Sequence, residues 1–208
     1  MEAHVRDSVK AAIVPWLDHW EGLPHDGDGY YPYADSKGIF TVGVGFASLS
    51  PADAMRFPWL ISGRVARSSE VANSYSRIML EGGNRPASHY APLTPLRLSE
   101  ASVSSLLAAE IVVFEKRAQA KFPGYAGWPA PCQLAMMDMA WNIGPNFADG
   151  YPHFVAAMNA GDFAAAAKES SSGGTPSDRL SARSALLIYA AVHSSPGFDP
   201  DLVPWSAP

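Results

Sequence analysis

The stretch CQLAMMDMAWNIG, from Cys132 to Gly144, is apolar on nearly every side at helical spacing and closes on Gly144-Pro145. A helix without a polar face has nothing to offer water, so it folds only where other elements enclose it. Glycine then ends it, because glycine tolerates the left-handed backbone that stops a helix. The chain is thereby required to build a helical lobe around this segment, and 208 residues are enough to bury one. Asp138 is the one carboxyl inside the run. A buried carboxyl needs a cationic or hydrogen-bonding partner, an arginine for preference, and Asp138 reads as structural. Cys132, the single cysteine, reads as a small core residue with no disulfide to make.

The remaining segments supply that enclosure. Ala11 to Trp20 places Ile13, Trp16, Leu17 and Trp20 at helical spacing. Pro15 predicts either a kink or a helix whose regular part starts there. From Gly27 to Phe46 the pattern turns glycine-rich and β-prone, and GDGYYPYADSKGIFTVGVGF sets two aromatic or β-branched runs around Asp35-Ser36-Lys37-Gly38, a hairpin turn. It is the one sheet the sequence predicts; everything after it reads as helix. Ser50-Pro51 opens a short helix. Ser68 or Ser69 caps another running to Leu80 and closed by Gly82-Gly83, and Asn84 to Arg97, with three prolines, is a loop.

Ser99 opens a long helix with Val103, Leu106, Leu107, Ile111, Phe114 and Ala118 on one side. Short helices are expected at Pro152 to Asn159 and Asp162 to Lys168, and a last amphipathic helix at Asp178 to Val192. The fold class is α+β and mainly helical, read as one domain. Its small α/β lobe spans about 21–60, its helical lobe about 1–20 and 61–195, and the tail 196–208 either wraps the surface or is loose.

Fifteen basic against twenty acidic side chains leave a formal charge of −5, which weighs against a nucleic-acid partner. No apolar stretch is long enough to span a bilayer. The N-terminus has no signal-peptide pattern, so the chain is expected to be made in the cytoplasm. The histidines lack zinc-ligand spacing. Asp26-Gly27-Asp28-Gly29 faintly suggests a calcium loop, but Tyr30 and Lys37 stand where oxygen ligands are needed. No metal and no cofactor is expected.

Three polar residues stand out by placement: Glu21 after the first helix, Asp35 at the hairpin turn and Thr41 on the next strand. Two carboxyls on different elements facing one cleft are what glycoside hydrolysis needs, one to protonate the leaving oxygen and one to stay ionised. Glu21 follows Trp16, Leu17 and Trp20, whose bulk is expected to desolvate it in part and suit it to the acid role. Asp35, in a turn rich in donors, suits the anion, and the Thr41 hydroxyl is suited to hold a water.

Glu21-Gly22-Leu23, Tyr33-Ala34-Asp35 and Gly38-Ile39-Phe40-Thr41-Val42-Gly43-Val44-Gly45 together resemble the catalytic region of the phage-type lysozymes, the endolysins of glycoside hydrolase family twenty-four. The aspartate and threonine of that family stand six positions apart, as Asp35 and Thr41 do. Leu98-Ser99-Glu100-Ala101, Met139 to Pro145 and Met158 to Phe163 are similar to later helices of the family, and Arg179 and Arg183 fall where it has arginines. One of these arginines is expected to support Glu21. Glu21 and Asp35 are fourteen positions apart, about five more than is usual in the family, so His25 to Tyr30 reads as an insertion. Ser50 to Arg97 matches poorly. Phe46 stands where many members have histidine and joins Trp141 and Asn142 as a candidate substrate-binding residue. For the last two the alternative is open: Trp141 as core and Asn142 as a helix C-cap.

The resemblance implies a lysozyme-like fold and a muramidase that cleaves the β-1,4 bond between N-acetylmuramic acid and N-acetylglucosamine, with peptidoglycan glycan strands as partner. It would reach the cell wall after release by a holin or delivery by a phage tail or a secretion system, the last with an immunity or delivery protein as further partner. A lytic transglycosylase, using Glu21 alone, and a non-catalytic wall-binding module are the alternatives.

Overall fold

A computed structural model describes residues 5–21, 24–144, 146–193 and 197–205. The fold is mixed α+β and mainly helical, with small antiparallel sheets. Two compact units divide the chain: residues 1–20 with 108–208, and the contiguous stretch 21–107. The contiguous unit runs on past residue 60 to Leu107.

The discontinuous unit forms around the helix that the sequence marks as enclosed. That helix, α5 (Ala130–Ile143), has every residue from Ala130 to Ala140 buried, and Gly144 caps it at φ 116°. The N-terminal helix α1 (Asp7–Glu21) buries Val9, Ile13, Trp16 and Leu17 on one stripe. It continues through Pro15, so its regular part does not begin there. Pro15 and Ala11 both lie on the exposed side, where water can serve the Ala11 carbonyl that a proline four residues on leaves without a donor. The long helix α4 (Glu100–Lys121) crosses the boundary between the units and buries Val103, Leu107, Ile111 and Ala118, while Leu106 and Phe114 are half-buried.

Three further helices, α6 (Pro152–Ala160), α7 (Phe163–Glu169) and α8 (Ser177–Val192), follow close to the expected bounds; α8 packs on α5 and α7. The tail is docked rather than loose over residues 197–205: the Ala130 N–H donates to the Pro200 carbonyl at 2.7 Å, Arg6 pairs with Asp201 at 2.7 Å, and the Trp205 ring meets Trp16 edge-on at 5.0 Å.

The contiguous unit is where the sheets lie. Strands β3 (Tyr33–Ala34), β4 (Phe40–Val42) and β5 (Phe46–Ser48) make an antiparallel sheet in the order β3-β4-β5, with Tyr33 opposite Thr41 and Thr41 opposite Ala47. Directly opposed residues share a face, so this register sorts the side chains. Ala34, Phe40, Val42, Phe46 and Ser48 form the core face, where Phe40 stacks on Tyr75 at 4.9 Å and Phe46 and Phe57 lie 6.2 Å apart. Tyr33, Thr41 and Ala47 form the other face.

Two short hairpins flank this sheet. The segment read as an insertion is itself a hairpin, β1 (His25–Asp26) with β2 (Gly29–Tyr30). The other, β6 (Leu60–Ile61) with β7 (Arg64–Val65), lies in the part expected to be helical and corrects that expectation. Its turn is Ser62-Gly63 with φ 49° and 79°, the left-handed pair that a two-residue hairpin demands. Residues Arg97 and Leu98 tie both hairpins down, Leu98 bridging Tyr30 and Arg97 bridging Leu60. The Arg97 guanidinium also grips the Asp26 carboxylate at 2.6 Å and lies 5.2 Å from the centre of the Tyr31 ring. Helix α2 (Pro51–Ala54) carries the expected Ser50 cap, whose hydroxyl accepts from the Asp53 N–H at 3.1 Å. Helix α3 (Ser68–Glu81) is capped by Arg67, not Ser68 or Ser69: the Glu70 carboxylate reaches back to the Arg67 N–H at 2.8 Å, closing an end that a serine hydroxyl was expected to close.

Candidate active site

The β3–β4 turn holds Asp35 by its own backbone. Its Oδ1 accepts from the N–H groups of Lys37 and Ile39, both at 2.8 Å, while its backbone pairs with Ile39 and Gly38 at 2.9 Å. Such an Asx turn fixes the carboxylate orientation. Asp35 Oδ2 accepts no hydrogen bond from the described residues.

The turn is braced from behind by the chain beyond α3. A methyl group on Gly83 would sit 2.3 Å from the Asp35 carbonyl oxygen and 2.9 Å from the Gly38 nitrogen, so only glycine allows that approach. The sequence reading takes Gly82-Gly83 as a helix stop. Gly82 is the C-cap, with φ 71°, and Gly83 has this second duty that spacing does not reveal.

Thr41 is buried on β4, and its hydroxyl donates to the Ile39 carbonyl at 3.0 Å. With its proton so engaged, the oxygen presents lone pairs to whatever approaches. Tyr33 lies directly across the strand pair from Thr41 and two residues before Asp35, and a period of two brings alternate residues to one side. Its half-buried phenol is pushed up to about 12, first by burial and then by the negative charges of Glu21 and Asp35. Glu21, Tyr33, Asp35 and Thr41 all belong to the same compact unit.

Glu21, the last residue of α1, is exposed. The neighbouring tryptophans do not bury it. Gly22 and Leu23 of the same motif lie outside the described residues, as does Pro145 of the later one.

Phe46 does not accompany these groups. The register turns it to the core face, opposite Tyr33 and Thr41, where it is buried beside Phe57, so its candidacy as a substrate contact is corrected to a packing role.

In the other unit, Trp141 is half-buried with its ring edge-on to Phe114 at 5.4 Å. Asn142 is exposed, and its Oδ1 accepts from Thr175 and from Ser172, the latter at 3.4 Å. Gly144, not Asn142, is the helix cap. An open groove of about 430 Å³ beyond the end of α5 is lined by Ile143, Gly144, Asn146, Phe147, Gly150 and Tyr151.

Arg179 and Arg183 both close on Asp138. Arg179 donates through Nε and Nη2 to Oδ1 at 3.0 and 2.8 Å, Arg183 through Nε to Oδ2 at 2.6 Å, and Trp16 Nε1 adds a fourth bond at 2.8 Å. Asp138 and Arg183 are fully buried. Asp138 is thus the structural carboxyl with arginine partners that its position in α5 requires.

Comparison with models of known families, with curated proteins and with solved structures returned no match. Among the described residues no cluster of three or more His, Cys, Asp or Glu side chains is arranged to hold a metal ion, and no helix is long and apolar enough to cross a membrane. The Cys132 thiol is pushed up by burial, which suppresses the nucleophilic thiolate. Tyr33 is the member of the site that sequence reasoning missed. Its signal was present in the spacing Tyr33-x-Asp35 within a strand.

Proposed function

We propose that this chain is a peptidoglycan hydrolase of the muramidase type, cleaving the β-1,4 bond between N-acetylmuramic acid and N-acetylglucosamine. The observation that supports the reading is the Asp35 carboxylate, fixed by the backbone of the β3–β4 turn with one oxygen left without a bond from the described residues, on the hairpin whose next strand carries Thr41. In this scheme Glu21 protonates the bridging oxygen. Asp35, oriented by two backbone N–H groups, acts as base or charge stabiliser, and Thr41 accepts a hydrogen bond from the attacking water. Covering of the exposed Glu21 by a bound glycan would supply the desolvation that a proton donor needs. The lysozyme-like fold, access to the wall through a membrane pore, a phage tail or a secretion apparatus, and an immunity or delivery partner belong to the same proposal.

The test is Glu21→Gln. Clearing of cell-wall suspensions is expected to fall at least about a hundredfold, the scale of a lost general acid, with Tm within about 2 °C of the parent. Full clearing by that variant defeats the assignment. Mass spectrometry of the digest separates the remaining chemistry, because anhydro-muropeptides as the main product would identify a lytic transglycosylase.

A further inference from the structure

The turn that orients Asp35 depends on support from outside its own hairpin. Strands of two and three residues pair only marginally by themselves in water, so the carboxylate is no better fixed than the backbone of residues 35–39 that holds it. Gly83 backs that backbone so closely that a methyl group there would overlap the Asp35 carbonyl oxygen and the Gly38 nitrogen.

Gly83 follows another glycine, and two such residues have the most backbone freedom to lose. Its place is set by the peptide unit that joins it to Gly82, because the Gly82 carbonyl and the Gly83 Cα lie in one rigid plane. That carbonyl accepts a hydrogen bond from the Tyr90 hydroxyl. Tyr90 is fully buried and is itself held: its N–H donates to the Ala87 carbonyl at 3.0 Å, and its carbonyl accepts from the Leu93 N–H at 2.9 Å. The His89 ring meets it edge-on at 5.3 Å and pairs with the Glu81 carboxylate at 3.0 Å. The chain from Glu81 to Tyr90 thus closes on itself with Gly83 against the turn. All of these residues belong to the contiguous unit, in the stretch from Ser50 to Arg97 that the family resemblance leaves unmatched.

Resting on the muramidase reading, we infer that Tyr90 is a positioning residue for Asp35: by donating to the Gly82 carbonyl, its hydroxyl seats Gly83 against the β3–β4 turn and so fixes the direction of the carboxylate. A helix C-terminus leaves carbonyls without donors, and a hydroxyl that served only that need would stabilise α3 without reaching Asp35. The two roles differ in what they move.

Tyr90→Phe keeps the ring and removes the O–H. Amide hydrogen exchange, followed by NMR, is expected to speed up at least about tenfold at the Gly38 and Ile39 N–H groups, which bond to Asp35, and by less than about twofold across α3. On a soluble glycan fragment kcat is expected to fall about tenfold with KM within about twofold, since a displaced catalytic group loses rate and not binding. A double-mutant cycle with Gly83→Ala completes the test: if Tyr90 acts through Gly83, the double variant loses little more kcat than Gly83→Ala alone, whereas independent roles multiply. Exchange at Gly38 and Ile39 that is unchanged or no faster than across α3, or multiplied losses in the cycle, overturns the inference. If the parent protein does not cleave peptidoglycan, the muramidase reading fails on that result alone, and the exchange at Gly38 and Ile39 still decides whether Tyr90 holds the turn.

Discussion

Asp138 and Asp35 are the same side chain put to opposite uses. Asp138 is buried, and both its oxygens are taken up by two guanidinium groups and an indole. Asp35 is half-buried and spends one oxygen on the backbone of its own turn, while the other accepts nothing from the described residues. A carboxylate whose acceptor capacity is filled by the protein holds the fold and is inert. One that is oriented through a single oxygen retains capacity for a ligand. The difference lies in bonding completeness, and residue identity does not reveal it.

Replacing carboxyl by amide in different places sharpens this contrast. The largest effect is expected at Asp138→Asn, which leaves two buried guanidinium groups without their shared counter-charge. Loss of one partner of a buried pair costs about 3–5 kcal/mol, and at about 2–4 °C per kcal/mol for a chain of this size a fall in Tm of about 10 °C should appear by calorimetry or circular dichroism. A Tm within about 2 °C of the parent breaks the comparison. Next comes Glu21→Gln, with a large loss of wall clearing and no comparable loss of stability.

Gly83→Ala probes the brace behind Asp35. The added methyl meets backbone at 2.3 Å, so the turn must shift, and a displaced catalytic group is expected to lose about tenfold or more in kcat. The variant should also lose about 1–3 kcal/mol of stability as overpacking strain, measured by urea unfolding.

The smallest effect belongs to Asp26→Asn. Asp26 and Arg97 form a partly exposed pair, and hydrogen bonding from Arg97, the largest cause, lowers the Asp26 pKa from its ordinary 3.8. A depressed carboxyl stabilises the fold fully above its unfolded pKa and loses that contribution as the pH falls through the folded value. The gap in urea stability between parent and variant should therefore be present at neutral pH, close below about pH 4, and stay under about 1 kcal/mol because solvent screens the pair.

Much of the fold was legible where local chemistry decides it. The Asp35–Gly38 turn, the Ser50 cap and the enclosed α5 each follow from a few adjacent residues. The β6–β7 hairpin was hidden because its strands are two residues long and rely on the distant Arg97 for support, although Ser62-Gly63 gave a turn signal. Pro15 does not mark the helix start, because the Ala11 carbonyl it leaves without a donor lies on the exposed side, where water reaches it. Within the candidate site, Asp35 and Thr41 stand out by motif. Tyr33 and Gly83 do not, since one draws its setting from strand register and the other from a contact across almost fifty residues of chain.

The division of the chain into an inserted stretch and a unit assembled from both flanks has a consequence for biosynthesis. Residues 21–107 are contiguous and have all their own contacts available as soon as they leave the ribosome, so they can fold while translation continues. Helix α1 is made first yet must wait for α5, more than a hundred residues later, before Trp16 finds Asp138. During that interval its apolar stripe of Val9, Ile13, Trp16 and Leu17 is uncovered, which makes the nascent N-terminal segment the natural point of engagement for a chaperone.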